Sequence, residues 1–308
     1  SRGLGDVYKR QDPCTTPLLE FITRGREYAQ KLCQTRGILY PVGIGPKGMD
    51  STYKGDVVQE NYRNNPNVTH HILHWGQKSN AAYSLVPVYF RFYSTWDTVY
   101  AEENYPFVFE VVNFWEDYLK FENGRYVIYD DSIHEGSGDD FNPILSLGLV
   151  RMTFQLALDM SGFLGLDEER REKWRHILKH ISNYSTHKKD GKRVFRYSEK
   201  GTDWVNSNTL GIQHIFPAGT IGLESDSELL EIARNTIDVM QRWYDFNGTN
   251  SFYPAAVRVG YSPETILKHL HEWATQKHPN GLKHDENPHG IELCTPTIIT
   301  INMMLCMG

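Results

Sequence analysis

The apolar residues of this chain recur with the period of a helix, segment after segment, and no stretch alternates strand with helix. Between 105 and 119, Phe107, Val111, Phe114, Trp115 and Tyr118 fall at i, i+4, i+7, i+8 and i+11, the stripe of a 3.6-residue helix. Residues 143–163 form a longer apolar helix, with Gly162 and Gly165 where it should end. Pro17 opens a segment to about Gln34, with Leu18, Phe21, Ile22, Tyr28 and Leu32 roughly on one face. Residues 79–94 read as a buried helix that Pro87 should kink. Asp167 is placed to cap a helix carrying Trp174, Ile177, Leu178 and Ile181, and Ser225 or Ser227 one that runs through Trp243. Ser262-Pro263-Glu264 starts another, through about Ala274, and the last begins near Pro296. Strands are short: 126–129 at most, and 193–197 as one side of a hairpin. Roughly seven helices in antiparallel pairs follow, joined alternately by short turns and long loops. This is an all-α pattern, and the missing βαβ rhythm argues against Rossmann and TIM folds.

Charge and composition remove several function classes. The net charge is −6 and Lys and Arg are scattered, so no basic stripe neutralises phosphates and no nucleic-acid partner is expected. No apolar run reads as long enough to span a bilayer, so no membrane partner is expected either. Cys14, Cys33, Cys294 and Cys306 have neither CxxC spacing nor a disulfide framework and read as buried thiols. The common nucleotide, hydrolase and zinc-protease motifs are missing. His70, His71 and His74, and His284 with His289, sit in polar, Pro- or Asn-containing stretches. No metal site and no cofactor are expected there.

Residues 1–11 read as a non-native, adapter-like segment and are set aside. The other end stops inside the apolar helical pattern of 298–307. The expectation is therefore a partial domain over 12–308, an internal fragment of a longer protein with an open seam.

The chemistry concentrates in residues 130–140, where Asp130, Asp131, Glu135, Asp139 and Asp140 crowd a Gly-containing loop between two helix-like segments. Like charges this close raise at least one pKa. A carboxylic acid still protonated near neutral pH is what a general acid needs. A second loop acid, Glu292 in His289-Gly290-Ile291-Glu292-Leu293, supplies a candidate partner. Two loop carboxylates framed by helical hairpins suggest glycoside cleavage. A solvated acidic loop or a cation site is the other reading.

The order of segments resembles glycoside hydrolase family 95, which includes the inverting α-L-fucosidases. Pro17-Leu18-Leu19-Glu20-Phe21-Ile22 and Arg36-Gly37-Ile38-Leu39 are similar to that family's first barrel hairpin. Tyr105-Pro106-Phe107-Val108 with Phe114-Trp115-Glu116-Asp117-Tyr118-Leu119 resembles its next outer helix. Gly124-Arg125-Tyr126-Val127 followed by Glu135 is similar to the strand and loop bearing the general acid, and the helix through Leu164-Gly165-Leu166-Asp167 also fits. Gln213-His214-Ile215-Phe216-Pro217-Ala218-Gly219 resembles its His-containing segment. Ile291-Glu292 precedes Met304-Leu305 at the family's spacing for the catalytic base, although the fucosidases have Asp in place of Glu292. The usual Ser-Pro-Glu-Asn around the acid is here Ile133-His134-Glu135-Gly136.

The resemblance implies an incomplete (α/α)6 barrel with a few short strands in its loops, in a periplasmic or secreted bacterial protein acting on an oligosaccharide or glycan. Glu135 would be the general acid and Glu292 the general base. Trp75, Tyr83 and Trp204 would stack on sugar C–H faces, and His134, His214 and His289 would bind hydroxyls. Another (α/α)6 enzyme, such as a phosphorylase or a lyase, and a non-catalytic sugar-binding homologue remain as alternatives.

Overall fold

A computed structural model of the chain describes residues 21–44, 76–134, 137–244, 249–275 and 299–305. Helix makes up 57% and strand 11% of the described residues, and each ladder among them has two strands. The class is therefore mostly helical. The chain divides into two compact units, Ser1–Asn183 and Tyr184–Gly308.

In the first unit, α1 (Ile22–Tyr28) runs into a π-helical turn, Ala29–Cys33, and stops at Gln34 in the left-handed region. The chain then turns against a later helix through Gly37. A Cβ on Gly37 would lie 2.2 Å from the Glu110 carbonyl oxygen, and its φ is +73°; both features demand glycine. Next come α2 (Asn80–Tyr83) and α3 (Val86–Thr95). Pro87 does not kink one long helix as its sequence context suggests. It stands in the first turn of α3, where its missing N–H costs nothing.

The helix α4 (Thr98–Tyr118) begins a full two turns before the periodic stripe at 105. Asp97 starts it, its carboxylate accepting the Tyr100 N–H at 3.2 Å, an N-cap that satisfies one orphan donor. Pro106 sits inside the helix. Proline is usually costly inside a helix, yet here a regular turn precedes it on the same helix.

The strands β1 (Lys120–Glu122) and β2 (Arg125–Val127) pair antiparallel around Asn123-Gly124, both with positive φ. That is the type I′ geometry Asn-Gly favours. Residues 128–140 lead to β3 (Phe141–Pro143) and to α5 (Ile144–Leu164), which ends on left-handed Gly165, as its sequence indicates. A 3₁₀ turn, Glu168–Arg170, precedes α6 (Arg171–His180). Asp167 does not cap this helix with its side chain. Its carboxylate instead accepts the Tyr105 hydroxyl at 2.7 Å.

The helices α4 and α5 run in opposite senses. Tyr105, in the first half of α4, bonds Asp167 beyond the end of α5. Tyr118, the last residue of α4, bonds the Tyr129 carbonyl in the loop leading into α5. The core lies between them: Phe107, Val111, Phe114, Trp115, Leu149, Phe154 and Leu156 are at most 1% exposed, and side chains of this size each contribute about 1.5–3 kcal/mol on burial. Contrary to the sequence reading of apolar runs, α5 is long and apolar enough to cross a membrane, and 78% of that stretch is buried inside the protein, as in a core helix.

In the second unit, β4 (Thr186–Lys189) and β5 (Lys192–Phe195) pair antiparallel around Asp190-Gly191, again both with positive φ. β6 (Ser198–Lys200) follows. The helix α7 (Ser227–Met240) packs on β5, and its Thr236 hydroxyl accepts the Phe195 N–H at 2.9 Å. Its N-cap is Asp226, which accepts the Leu229 N–H at 2.8 Å, rather than either neighbouring serine. α8 (Thr249–Arg258) carries Pro254 internally, and periodicity did not reveal it. α9 (Pro263–Thr275) starts where Ser262-Pro263-Glu264 places it, the Ser262 hydroxyl accepting the Thr265 N–H. Residues 299–305 are helical. The expected helix starts at Pro17 and Pro296 lie outside the described residues.

Candidate functional site

The acidic loop of the first unit is a narrow-necked excursion between β2 and α5. Two rungs close its neck. Asn142 N–H bonds the Ile128 carbonyl at 2.9 Å, and the Asn142 side-chain oxygen accepts the Ile128 N–H at 2.8 Å. Asp131 and Asp140 then exchange backbone hydrogen bonds of 3.3 and 2.8 Å. Asp130, Asp139 and Asn142 all have positive φ. Asp and Asn tolerate that region best among non-glycine residues, and such backbone clusters at functional sites.

The carboxylates of this loop divide by role. Asp140 is 0% exposed, and its Oδ2 accepts the Ile133 N–H at 3.0 Å and lies 2.9 Å from the Ser137 hydroxyl. Ser137 also accepts the His134 N–H at 3.0 Å, and its hydroxyl reaches the His134 carbonyl at 2.9 Å. Asp131 is likewise 0% exposed. Its Oδ1 accepts the backbone N–H of both Lys78 and Ser132 at 2.8 Å. Its Oδ2 and the buried Ser146 hydroxyl on α5 make no hydrogen bond of good geometry, although Ser146 is close enough to favour the ionised form weakly. Asp130 and Asp139 are exposed. Two of the five carboxylates thus serve as backbone acceptors that fix the neck. Glu135, at the middle of the sequence they enclose, lies outside the described residues.

Burial drives the Asp131 carboxyl pKa up, against the opposing charge of Lys78 and the hydrogen bonds it accepts. The crowding of acids expected from the sequence is not the cause. Lys78 is 3% exposed, but its ammonium donates to the carbonyls of Gly76 and Asp130, each at 2.7 Å, rather than to the carboxylate. Tyr118 closes the other side, with its ring 6.0 Å from the Lys78 nitrogen. Burial beside Asp131 pushes its phenol well above the ordinary tyrosine range. Cys33, a free, half-buried thiol, is raised to about 11 by burial, which makes it a poor nucleophile. Lys78 had no signal in the sequence: a single lysine in Gly76-Gln77-Lys78-Ser79 shows nothing of a partner 53 residues away.

The remaining sequence-derived candidates are distributed over both units. In the first, His134 is half-buried in the loop and Tyr83, at the end of α2, is 38% exposed. The acidic loop and the segment entering α2 are brought together by the Lys78–Asp131 bond. In the second, His214 is 0% exposed, with its ring centred 4.5 Å from both Tyr184 and Phe195. Trp204 is half-buried, tilted against Tyr197 at 5.4 Å and stacked near His187 at 6.2 Å, with the Lys189 ammonium 5.4 Å from its ring centre. Tyr197 holds this loop by reaching the Val205 and Asn208 carbonyls. A side chain at Gly211 would meet the Tyr197 ring at 2.1 Å. Glu135, Glu292, Trp75 and His289 lie outside the described residues, as do His70, His71, His74 and His284. Among the described residues no three His, Cys, Asp or Glu side chains form a metal-binding group.

No protein-family model matches this chain, and no curated protein matches it.

Proposed function

We propose that this chain is part of an (α/α)6-barrel glycoside hydrolase similar to family 95. It would cleave an α-L-fucoside or a related, galactoside-like bond with inversion. The observation that carries the reading is the common order of family-like segments along residues 17–308, ending with Ile291-Glu292 ahead of Met304-Leu305. The mostly helical class and the opposed α4 and α5 are compatible with it. The braced neck of the acidic loop adds a physical reason. Asp131 and Asp140 fix the backbone on either side of Glu135, and a general acid works only when its position is held.

In this mechanism Glu135 protonates the departing glycosidic oxygen. Glu292 activates water on the opposite face of the sugar. Inversion requires the two carboxyl groups to stand roughly 6.5–9.5 Å apart, leaving room for that water. Glu292 is one methylene longer than the aspartate of the fucosidases, which moves the water and bears on the choice of sugar.

The test is Glu135→Gln in the complete protein, assayed on a natural α-L-fucoside and on an aryl fucoside with a good leaving group. Loss of the acid should cost about 10²–10⁴-fold on the natural substrate and far less on the activated one, which departs without protonation. An equal loss on both substrates would remove Glu135 from the acid's role. Activity on neither substrate in the wild-type protein, with turnover requiring inorganic phosphate or an anionic polysaccharide, would favour the phosphorylase or lyase alternatives.

A further inference from the structure

A second group of side chains with ligand chemistry lies on α6, outside the acidic loop. His176 and His180 are four residues apart on this helix, so they project from successive turns of one face. Their ring centroids are 4.4 Å apart, with planes 32° from parallel. His176 is exposed and His180 half-buried. The β1–β2 hairpin stands beside both rings. Phe121 packs at 5.4 Å from His176 and 6.1 Å from His180, and the Tyr126 hydroxyl lies 3.1 Å from His176 Nδ1.

We infer that His176 and His180 form a two-imidazole chelate for a divalent transition metal of the zinc, copper or nickel class, with Tyr126 as the positioning residue. Imidazole nitrogens suit these ions and not magnesium or calcium. Two nitrogens bound about 2.0–2.1 Å from one tetrahedral ion place their ring centroids roughly 5 Å apart. The present spacing of 4.4 Å is close to that, and each ring turns about its side-chain torsions to bring one nitrogen to the shared ion.

Tyr126 selects the useful tautomer. With Nδ1–H of His176 donating to the phenol oxygen, Nε2 keeps its lone pair for the metal, the arrangement that outer partners of metal-bound histidines commonly enforce. No third His, Cys, Asp or Glu completes a ligand set among the described residues, so water takes the remaining positions and the ion stays exchangeable.

The test uses the full chain and zinc chloride alone, titrated in competition with a chromogenic indicator. The wild-type protein should take up one more equivalent than His176→Gln, His180→Gln or the double variant. Each single variant should lose as much as the double, because a chelate needs both nitrogens. Histidines elsewhere in the chain contribute equally to every variant and cancel in the difference. Tyr126→Phe should keep the extra equivalent but bind it about 10-fold more weakly, and magnesium should not compete. His176 is exposed, so its replacement leaves α6 folded, which circular dichroism verifies. Equal stoichiometry and affinity in the wild type and the double variant would overturn the site. So would a single variant that keeps full affinity. Unchanged affinity in Tyr126→Phe would overturn the part assigned to the phenol.

Discussion

Glu116 and Asp131 are both buried acids of the first unit, and their surroundings tune them in opposite directions. The Glu116 side chain is 3% exposed. Its Oε1 accepts the Trp174 indole N–H at 2.6 Å, and its Oε2 pairs with Arg170 at 2.9 Å, Lys173 at 3.2 Å and Arg36 at 3.4 Å. Burial by itself pushes this carboxyl up, but the hydrogen bonds from Arg170 and Trp174 and the charges of Arg170 and Lys173 outweigh it. Its pKa ends below the ordinary value. Asp131 also lies near a cation, yet the protons of Lys78 go to two carbonyls. One carboxylate oxygen accepts no hydrogen bond of good geometry, and burial prevails. Proximity to a positive charge is therefore not enough. A buried carboxylate stays ionised where charged donors point at its oxygens, and is pressed towards neutrality where only neutral donors reach it.

The largest effect should come from Asp131→Ala. It strands the Lys78 and Ser132 N–H groups and leaves the Lys78 ammonium in a buried site, costing about 3–5 kcal/mol in chemical denaturation. A loss under about 1 kcal/mol would mean that the neck of the acidic loop does not depend on this acceptor.

Glu116→Gln keeps an acceptor for Trp174 but discards the charge that holds Arg170. A loss of about 1–3 kcal/mol at neutral pH is expected. Acid should erase it. Because the folded-state pKa of Glu116 is depressed, its stabilisation is complete above the unfolded value of about 4.3 and disappears as pH falls through the folded value. Wild type and variant should converge in acid. A gap that widens below that pH would contradict the assigned shift.

Ser137→Ala removes the hydroxyl shared by Asp140 and the His134 backbone and should cost about 1 kcal/mol. No change in thermal or chemical midpoint would show that the backbone rungs alone hold the loop.

The smallest effect, and the one of opposite sign, is Asp131→Asn. The amide oxygen still accepts from Lys78 and Ser132, its N–H₂ can reach the Ser146 hydroxyl, and the charge is gone. Stability at neutral pH should hold or rise by up to about 1 kcal/mol. Because the folded-state pKa is raised, the ionic penalty of Asp131 is complete above that pKa, fades as pH falls through it, and is gone below the unfolded value of about 3.9. Any advantage of the asparagine variant should therefore shrink in acid, in step with the loss of charge on Asp131 in the wild type. A clear loss at neutral pH would show that Lys78 needs the carboxylate's charge after all.

Much of the local structure was legible in the residues. Gly165 closes α5 and Ser262-Pro263 opens α9, whereas the tight turns at Asn123-Gly124 and Asp190-Gly191 stand outside a reading made from apolar periodicity. Other boundaries were misplaced for definable reasons. Several adjacent residues can each cap a helix, and the path of the chain chose Asp226 over Ser225 and Ser227, and gave Asp167 to Tyr105. The usual penalty of proline argues for helix ends near Pro106 and Pro254, whereas both lie inside helices. The candidate site was less legible. The acidic loop stood out, but not which of its acids are structural.

By itself the sequence determined the helical class, some helix boundaries and the loop in which acids concentrate, because those depend on the period of apolar residues and on the φ preferences of single residues. Only the tertiary structure decided what each acid is for. The pKa of a carboxylate depends on its solvation and on the direction of nearby donors. For Asp131 the determining groups come from Lys78, 53 residues away, and for Glu116 from Trp174, 58 residues away. Local pattern carries no information about such partners until the chain has folded.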